Sequence, residues 1–220
     1  QAVSRGLGDV YKRQIFIHQI DNVEVLDEGK TTTTSSIMFD IVRKFSSDKK
    51  INLSLKTDNK LQLESEKSLF NLNCINSSEF PLTDENFSQN EFLIDSKKFL
   101  KLLNKCKFSV SNDETRHYLS GIYLHQTEVE EKIYMTAVAT DSHRMSISKI
   151  RLKEKINFDP IILPKKTIFQ LCSLLDNYDG DIKISNLKSK IKFELANSIL
   201  ISKLIDGKFP NYIQVIPKNN

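Results

Sequence analysis

The densest run of reactive side chains is Thr140-Asp141-Ser142-His143-Arg144, which sets an aspartate, a serine and a histidine side by side. A nucleophilic triad needs a base within reach of the serine and a third group orienting that base from behind. Neighbours in one tight turn are poorly placed for that relay, and no GxSxG elbow surrounds Ser142. A small hydrolase centred on Asp141, Ser142 and His143 is therefore a minor alternative. Cys74, Cys106 and Cys172 lie far apart without a CxxC, and His18, His117, His125 and His143 show no metal spacing. No GxxxxGK[ST] loop or GxGxxG turn offers a phosphate cradle. The expectation is a cytosolic protein with reduced core thiols, no metal, no cofactor and no catalytic residues.

The lysines carry a stronger signal. Lys97, Lys101 and Lys105 recur at i, i+4 and i+8, flanked by Lys98, while Phe99, Leu102, Leu103 and Cys106 recur on the opposite side. Like charges four apart on a helix repel by roughly 0.2–0.5 kcal/mol per pair. Lys97 and Lys98 also fall in a first turn, at the positive end of the helix dipole, where acids are preferred. Lys165 and Lys166 repeat that anomaly in a second helix. An anionic partner such as a phosphate backbone would relieve both. Of the 32 basic residues 26 are lysine, a flexible point charge suited to diffuse phosphate contact rather than base reading. Residues 1–90 carry a net −2 and residues 91–220 a net +6, so the basic surface belongs to the second part.

The elements that must hold these residues follow from pattern. The chain has 220 residues, 39% hydrophobic and 27% charged, and no apolar run approaches the ~18 residues of a membrane span. Ser36 to Phe45 reads as a helix with Ile37, Met38, Ile41, Val42 and Phe45 on one face. Ser96 to Cys106 reads as a second, capped by Asp95 or Ser96, and Pro164 to Leu175 as a third. Alternating residues predict a hairpin through Ile51–Leu55, a turn at Thr57–Lys60 and a return through Leu61 and Leu63. A second hairpin passes Ile182 and Ile184, turns near Asn186 and returns through Ile191, Phe193 and Leu195.

These elements recur in order. Helix, hairpin and strand lead to Glu79-Phe80-Pro81 in the first copy and to Lys208-Phe209-Pro210 in the second, offset by 129 or 130 residues. Two copies of one domain explain this, the first lacking its front half. Residues 1–14 show no period and read as a non-native leader. The predicted division is 15–88 for the partial first domain, 89–214 for a complete second, and 215–220 for a linker.

Three motifs then carry a resemblance. Glu114-Thr115-Arg116-His117-Tyr118-Leu119-Ser120-Gly121, Ala137-Val138-Ala139-Thr140-Asp141-Ser142-His143-Arg144-Met145 and Leu204-Ile205-Asp206-Gly207-Lys208-Phe209-Pro210-Asn211-Tyr212, followed by Val215-Ile216-Pro217-Lys218-Asn219, closely resemble the bacterial sliding clamps. These are the beta subunits of DNA polymerase III, and the resemblance spans about residues 15 to 220. It implies an α+β DNA clamp fold of tandem similar domains, each with two helices packed on small antiparallel sheets. It also implies a non-catalytic processivity factor, whose two chains close a ring around double-stranded DNA without sequence preference. Lys97, Lys98, Lys101, Lys105, Arg116, His117, Tyr118, Lys165 and Lys166 would face the DNA. The polymerase III core, the clamp loader and other proteins with clamp-binding motifs would dock a peptide in a pocket. Its lining on this chain would be Leu119, Thr140, Ser142, His143, Arg144, Met145, Pro210, Gln214 and Val215. Ser142 stands where the family often has glycine, Met145 for leucine, Gln214 for arginine and His117 for tyrosine. Full-length clamps are homodimers with no membrane partner, and a chain without the third domain is expected to form a ring weakly or not at all. The remaining alternative is a nucleic-acid-binding module without ring topology.

Overall fold

The computed structural model describes residues 2–7, 14–56, 59–80 and 91–217. The expected turn at Thr57 and Asp58, the corner residue Pro81, the 88/89 boundary and Lys218 lie outside them. The chain divides into two compact units: Asp21–Glu85 with Gln1–Ala2, and Asn86–Asn220 with Val3–Ile20.

The first unit contains β3 (Thr32–Thr33), α1 (Ser35–Val42), β4 (Asn52–Lys56), β5 (Lys60–Ser65) and β6 (Ser68–Ile75) in a four-stranded sheet of order β3-β6-β5-β4. Period-two alternation turns Leu61, Leu63 and Leu72 inward, where Met38, Ile41 and Phe45 pack on them. The predicted face of α1 is only partly used, because Ile37 and Val42 remain exposed with Phe39.

The second unit has two sheets around two helices. Strands β1 (Ala2–Leu7), β2 (Gln14–Ile20), β7 (Glu91–Asp95), β12 (Asp181–Asn186), β13 (Lys190–Leu195) and β14 (Ser198–Lys203) form one, in the order β1-β2-β14-β13-β12-β7. Strands β8 (Gly121–Val129), β9 (Lys132–Thr140), β10 (Met145–Arg151) and β11 (Ile161–Pro164) form the other, in the order β10-β9-β8-β11. Helices α2 (Ser96–Asn104) and α3 (Lys165–Asp176) bury Phe99, Leu102, Leu103, Ile168, Leu171 and Leu175 in one core with Ile122, Met135 and Phe193. Gly121 is obligatory for the β8–β11 pairing, since a Cβ there would overlap the Leu163 carbonyl.

The repeat is visible element by element. β2 and β10, α1 and α3, β4 and β12, β5 and β13, β6 and β14 stand 129 to 131 residues apart. The pairing of Thr32 with Ile75 recurs as Ile205 N–H donating to the Ile162 carbonyl at 3.0 Å.

Within the expected leader, residues 2–7 and Gln14 are described and take part in strands. Ala2–Leu7 forms the edge strand β1. Gln14 is buried in β2, and its Nε2 donates to Thr167 Oγ1 at 2.5 Å. Thr167 in turn shares a 2.6 Å hydrogen bond with Ser202. Antiparallel pairing of Gln14–His18 with Ser198–Ser202 places β2 in the second unit's sheet, although β2 precedes α1 in the chain. Long-range register decides this, and no local period reports it.

Candidate DNA and peptide interfaces

Helix α2 begins as its sequence predicts, with Asp95 Oδ1 accepting the Lys98 N–H at 2.8 Å. That carboxylate occupies one of the free first-turn amides and offsets the two lysines beside it. All four lysines of the stripe are exposed, but the stripe divides. Lys97 Nζ turns to Asp179 at 2.8 Å, and this hydrogen bond raises its pKa. Lys98, Lys101 and Lys105 line a groove of about 290 Å³ with Lys149 and Arg151 of β10. The sequence reading missed those last two, which are next to α2 only because β10 is folded against it.

Helix α3 starts with Lys165 and Lys166 directly after an extended Pro164, with no side-chain cap and no acid in its first turn. Lys165 Nζ donates to Asn112 Oδ1. Lys165 and Lys107 approach the half-exposed Phe169 ring, at 6.0 and 5.7 Å from its centroid. Two cations near one aromatic ring keep that ring tolerable at the surface.

Arg116, His117 and Tyr118 lie in a 3-10 turn (Glu114–Leu119) capped by Asp113, whose Oδ1 accepts the Thr115 N–H at 2.9 Å. Thr115 and Arg116 together hold the Asp113 carboxyl down to about 2. Arg116 Nε donates to Asp113 Oδ2 at 2.8 Å and its Nη1 to Ser142 Oγ at 2.6 Å. His117 Nε2 lies 3.1 Å from the Asp206 carbonyl, and Tyr118 packs over Gly207. All three side chains already have partners inside the protein.

The expected peptide-pocket residues are partly gathered. Leu119 and Met145 belong to one apolar cluster with Val138, Ile162, Phe209 and Tyr212. Leu119 is only 3% exposed, so it is a floor residue, whereas Val215 is 69% exposed beside an exposed Ile213. Pro210 and Gln214 are exposed on the same segment. Between Thr140 and Met145 the chain makes a closed turn. Asp141 Oδ1 accepts the His143 and Arg144 N–H groups at 3.0 Å, and Asp141 Oδ2 meets Arg144 Nε at 2.9 Å. Thr140 Oγ1 accepts from Ser142 N–H at 3.1 Å and donates to the Arg144 carbonyl at 2.8 Å. The Asp141 carboxyl is depressed, chiefly by the His143 amide. This arrangement is a structural Asx turn: Asp141 orients backbone and Arg144, and the Ser142 hydroxyl accepts from Arg116. The Ser142 hydroxyl thus meets Arg116 and the Asp141 carboxylate meets Arg144. Burial pushes the Cys106 thiol up to about 11 and raises that of Cys172.

Two α+β units built on one pattern, the second presenting lysine-bearing helices, define a tandem-repeat protein with a basic helix layer. The model of the DNA polymerase III beta subunit central domain matches residues 93–211, and that of its N-terminal domain matches residues 11–84. The chain belongs to the DNA polymerase III beta subunit family. It is 36% identical over 210 residues to the beta sliding clamp of Rickettsia bellii, covering 94% of this chain and 54% of that protein. With the beta sliding clamp of Caulobacter vibrioides it is 30% identical over 209 residues, 90% of this chain and 56% of the relative. A DnaN sliding clamp from Bartonella birtlesii, solved bound to griselimycin, superposes with a TM-score of 0.92 at 29% identity, covering 100% of this chain and 59% of that one. The chain thus spans about half the length of the curated relatives it matches.

Proposed function

We propose that this chain is part of a DNA sliding clamp, a non-catalytic cytoplasmic factor that gives the replicative polymerase its processivity. The observation that carries the reading is the forward strand pairing. β2, the counterpart of β10 in the repeat, pairs with β14, the last strand of the following repeat. One such contact repeated head to tail builds an array, and an array whose rotation closes makes a ring. By the same rule, β10 is an edge strand open to a following repeat. In the complete protein the ring closes as a homodimer.

Duplex DNA is the passenger. Lys98, Lys101 and Lys105, with Lys97, Lys165 and Lys166, meet the phosphates, which carry charge but no base identity. The turn at Arg116, His117 and Tyr118, already engaged within the protein, contributes less. The segment Thr140–Met145 with Leu119, Pro210, Gln214 and Val215 forms one side of the pocket for peptides of the polymerase III core, the clamp loader and other partners. Apolar walls with a few polar groups suit a short peptide anchored by leucine and phenylalanine.

The test is topological. The full-length protein, with its first domain whole and a third clamp domain present, is loaded on nicked circular DNA, which is then cut once. Retention on the circle and loss from the linear form is expected. Equal retention on both would favour a nucleic-acid-binding module without a ring.

A further inference from the structure

We infer that Arg116 is a positioning residue for the peptide pocket, acting through a clasp to the Ser142 hydroxyl that ties the pocket's two turns together. The inference rests on the pocket reading above and deepens it. Each turn is closed on itself. Asp113 holds the Thr115 amide and hydroxyl and the Arg116 guanidinium, at 2.9, 2.6 and 2.8 Å. Thr140 and Asp141 hold the amides of Ser142, His143 and Arg144. Arg116 Nη1 crosses from the first turn to the second, reaching Ser142 Oγ at 2.6 Å. Three residues after Arg116 and Ser142 come Leu119 and Met145, which share one apolar cluster.

Two backbone features mark the clasp as built rather than incidental. Arg116 leaves the helical region inside its turn, at φ −107° and ψ 58°. Ser142 sits at φ 77°, in the left-handed region where glycine is freest and other residues are strained. A hydroxyl is therefore carried at a position whose backbone favours a residue without a side chain. Its return is the bond to Arg116. A guanidinium suits the task because its planar fork serves the Asp113 carboxylate and the hydroxyl together, which a lysine ammonium does not do with the same geometry.

Ser142→Gly separates this role from plain structural support. The change relaxes the backbone and deletes the hydroxyl, so the melting temperature is expected to stay level or rise. Affinity for a labelled Gln-Leu…Leu-Phe peptide is expected to fall roughly fivefold, in line with the loss of a charged hydrogen bond that acts indirectly. Amide exchange at Leu119, His143 and Arg144 is expected to quicken in the same variant. Arg116→Lys, which keeps the charge, should reproduce the affinity loss. In Ser142→Gly, which leaves every cation in place, the salt dependence of DNA binding should match the parent. Parent-like peptide affinity in Ser142→Gly would overturn the clasp and leave the pocket standing. Peptide affinity left intact in Arg116→Gln, with the salt slope of DNA binding lowered, would also overturn it, making Arg116 a phosphate contact. If the parent itself, completed with a third domain, binds no peptide, the pocket reading falls and the clasp's role with it.

Discussion

At the residue scale His125 is the most informative titratable side chain. Its ring stacks on Tyr123 at 4.6 Å, Nδ1 lies 3.1 Å from the Gln126 carbonyl and Nε2 lies 3.0 Å from the Tyr212 hydroxyl. A carbonyl only accepts, so Nδ1 carries the proton and Nε2 accepts from Tyr212. Burial, and secondarily Lys149, lowers the pKa below the ordinary 6.5. The unfolded chain then binds a proton more readily than the native one, so stability is complete above about pH 6.5 and falls as pH drops toward the native value. His125→Phe keeps a ring on Tyr123 and removes the titrating group. Urea midpoints measured from pH 8 to 5 should fall on acidification in the parent and flatten in the variant, which loses about 1 kcal/mol at pH 8 with the Tyr212 bond. An unchanged acid slope would exclude His125 as its source. Gly207 makes a steric prediction. With φ at 151° and a built Cβ only 3.3 Å from Tyr118 Cβ, Gly207→Ala should cost about 1–2 kcal/mol in denaturant titration.

At the element scale, helix α2 tests how capping and charge oppose one another. Asp95 is the acid that the first turn of α2 otherwise lacks, and Asp95→Ala should lower stability by about 1 kcal/mol. The same substitution should tighten DNA binding at low salt, because it removes a negative charge beside Lys97 and Lys98. Weaker DNA binding would mean that the cap orients the lysines more than it neutralises them. This helix was legible in full, since its cap, its apolar period and its lysines are all local. Helix α1 was legible in position but not in burial: its apolar residues satisfy the 3.6 period, yet Ile37 and Val42 face solvent. Periodicity names a face and says nothing of what covers it. Lys149 and Arg151 were illegible as members of the basic groove, and so was the link from Arg116 to Ser142. Both depend on strands and turns brought together by pairing across the sheet, at separations no window spans. The hydrogen bonds of Thr140–Arg144 supply a structural role that the sequence could not.

At the scale of the whole molecule, the repeat boundary in sequence and the boundary in space differ by one strand. β2 belongs to the first repeat by its place before α1, but its Ile15 and Ile17 pack with Ile199 and Ile201 of β14. A chain beginning at Asn86 therefore keeps both helices of the second unit while baring the β14 edge and the apolar pair beside it. Exposed apolar edges recruit other strands. Such a chain should self-associate with rising concentration in sedimentation, whereas the parent should not through that edge. It should also lose about 2 kcal/mol or more of stability from the burial of Ile15 alone. Adding a synthetic peptide of Gln14–Ile20 should restore both, because the peptide can occupy the β14 register in which Ile201 faces Ile15 and Ile199 faces Ile17. If the shortened chain is monomeric and as stable as the second unit within the parent, β2 is only an accessory to that sheet. Forward pairing would then lose its standing as the contact from which a ring is built. If the peptide rescues the fold, one strand exchanged between neighbours suffices to join successive repeats.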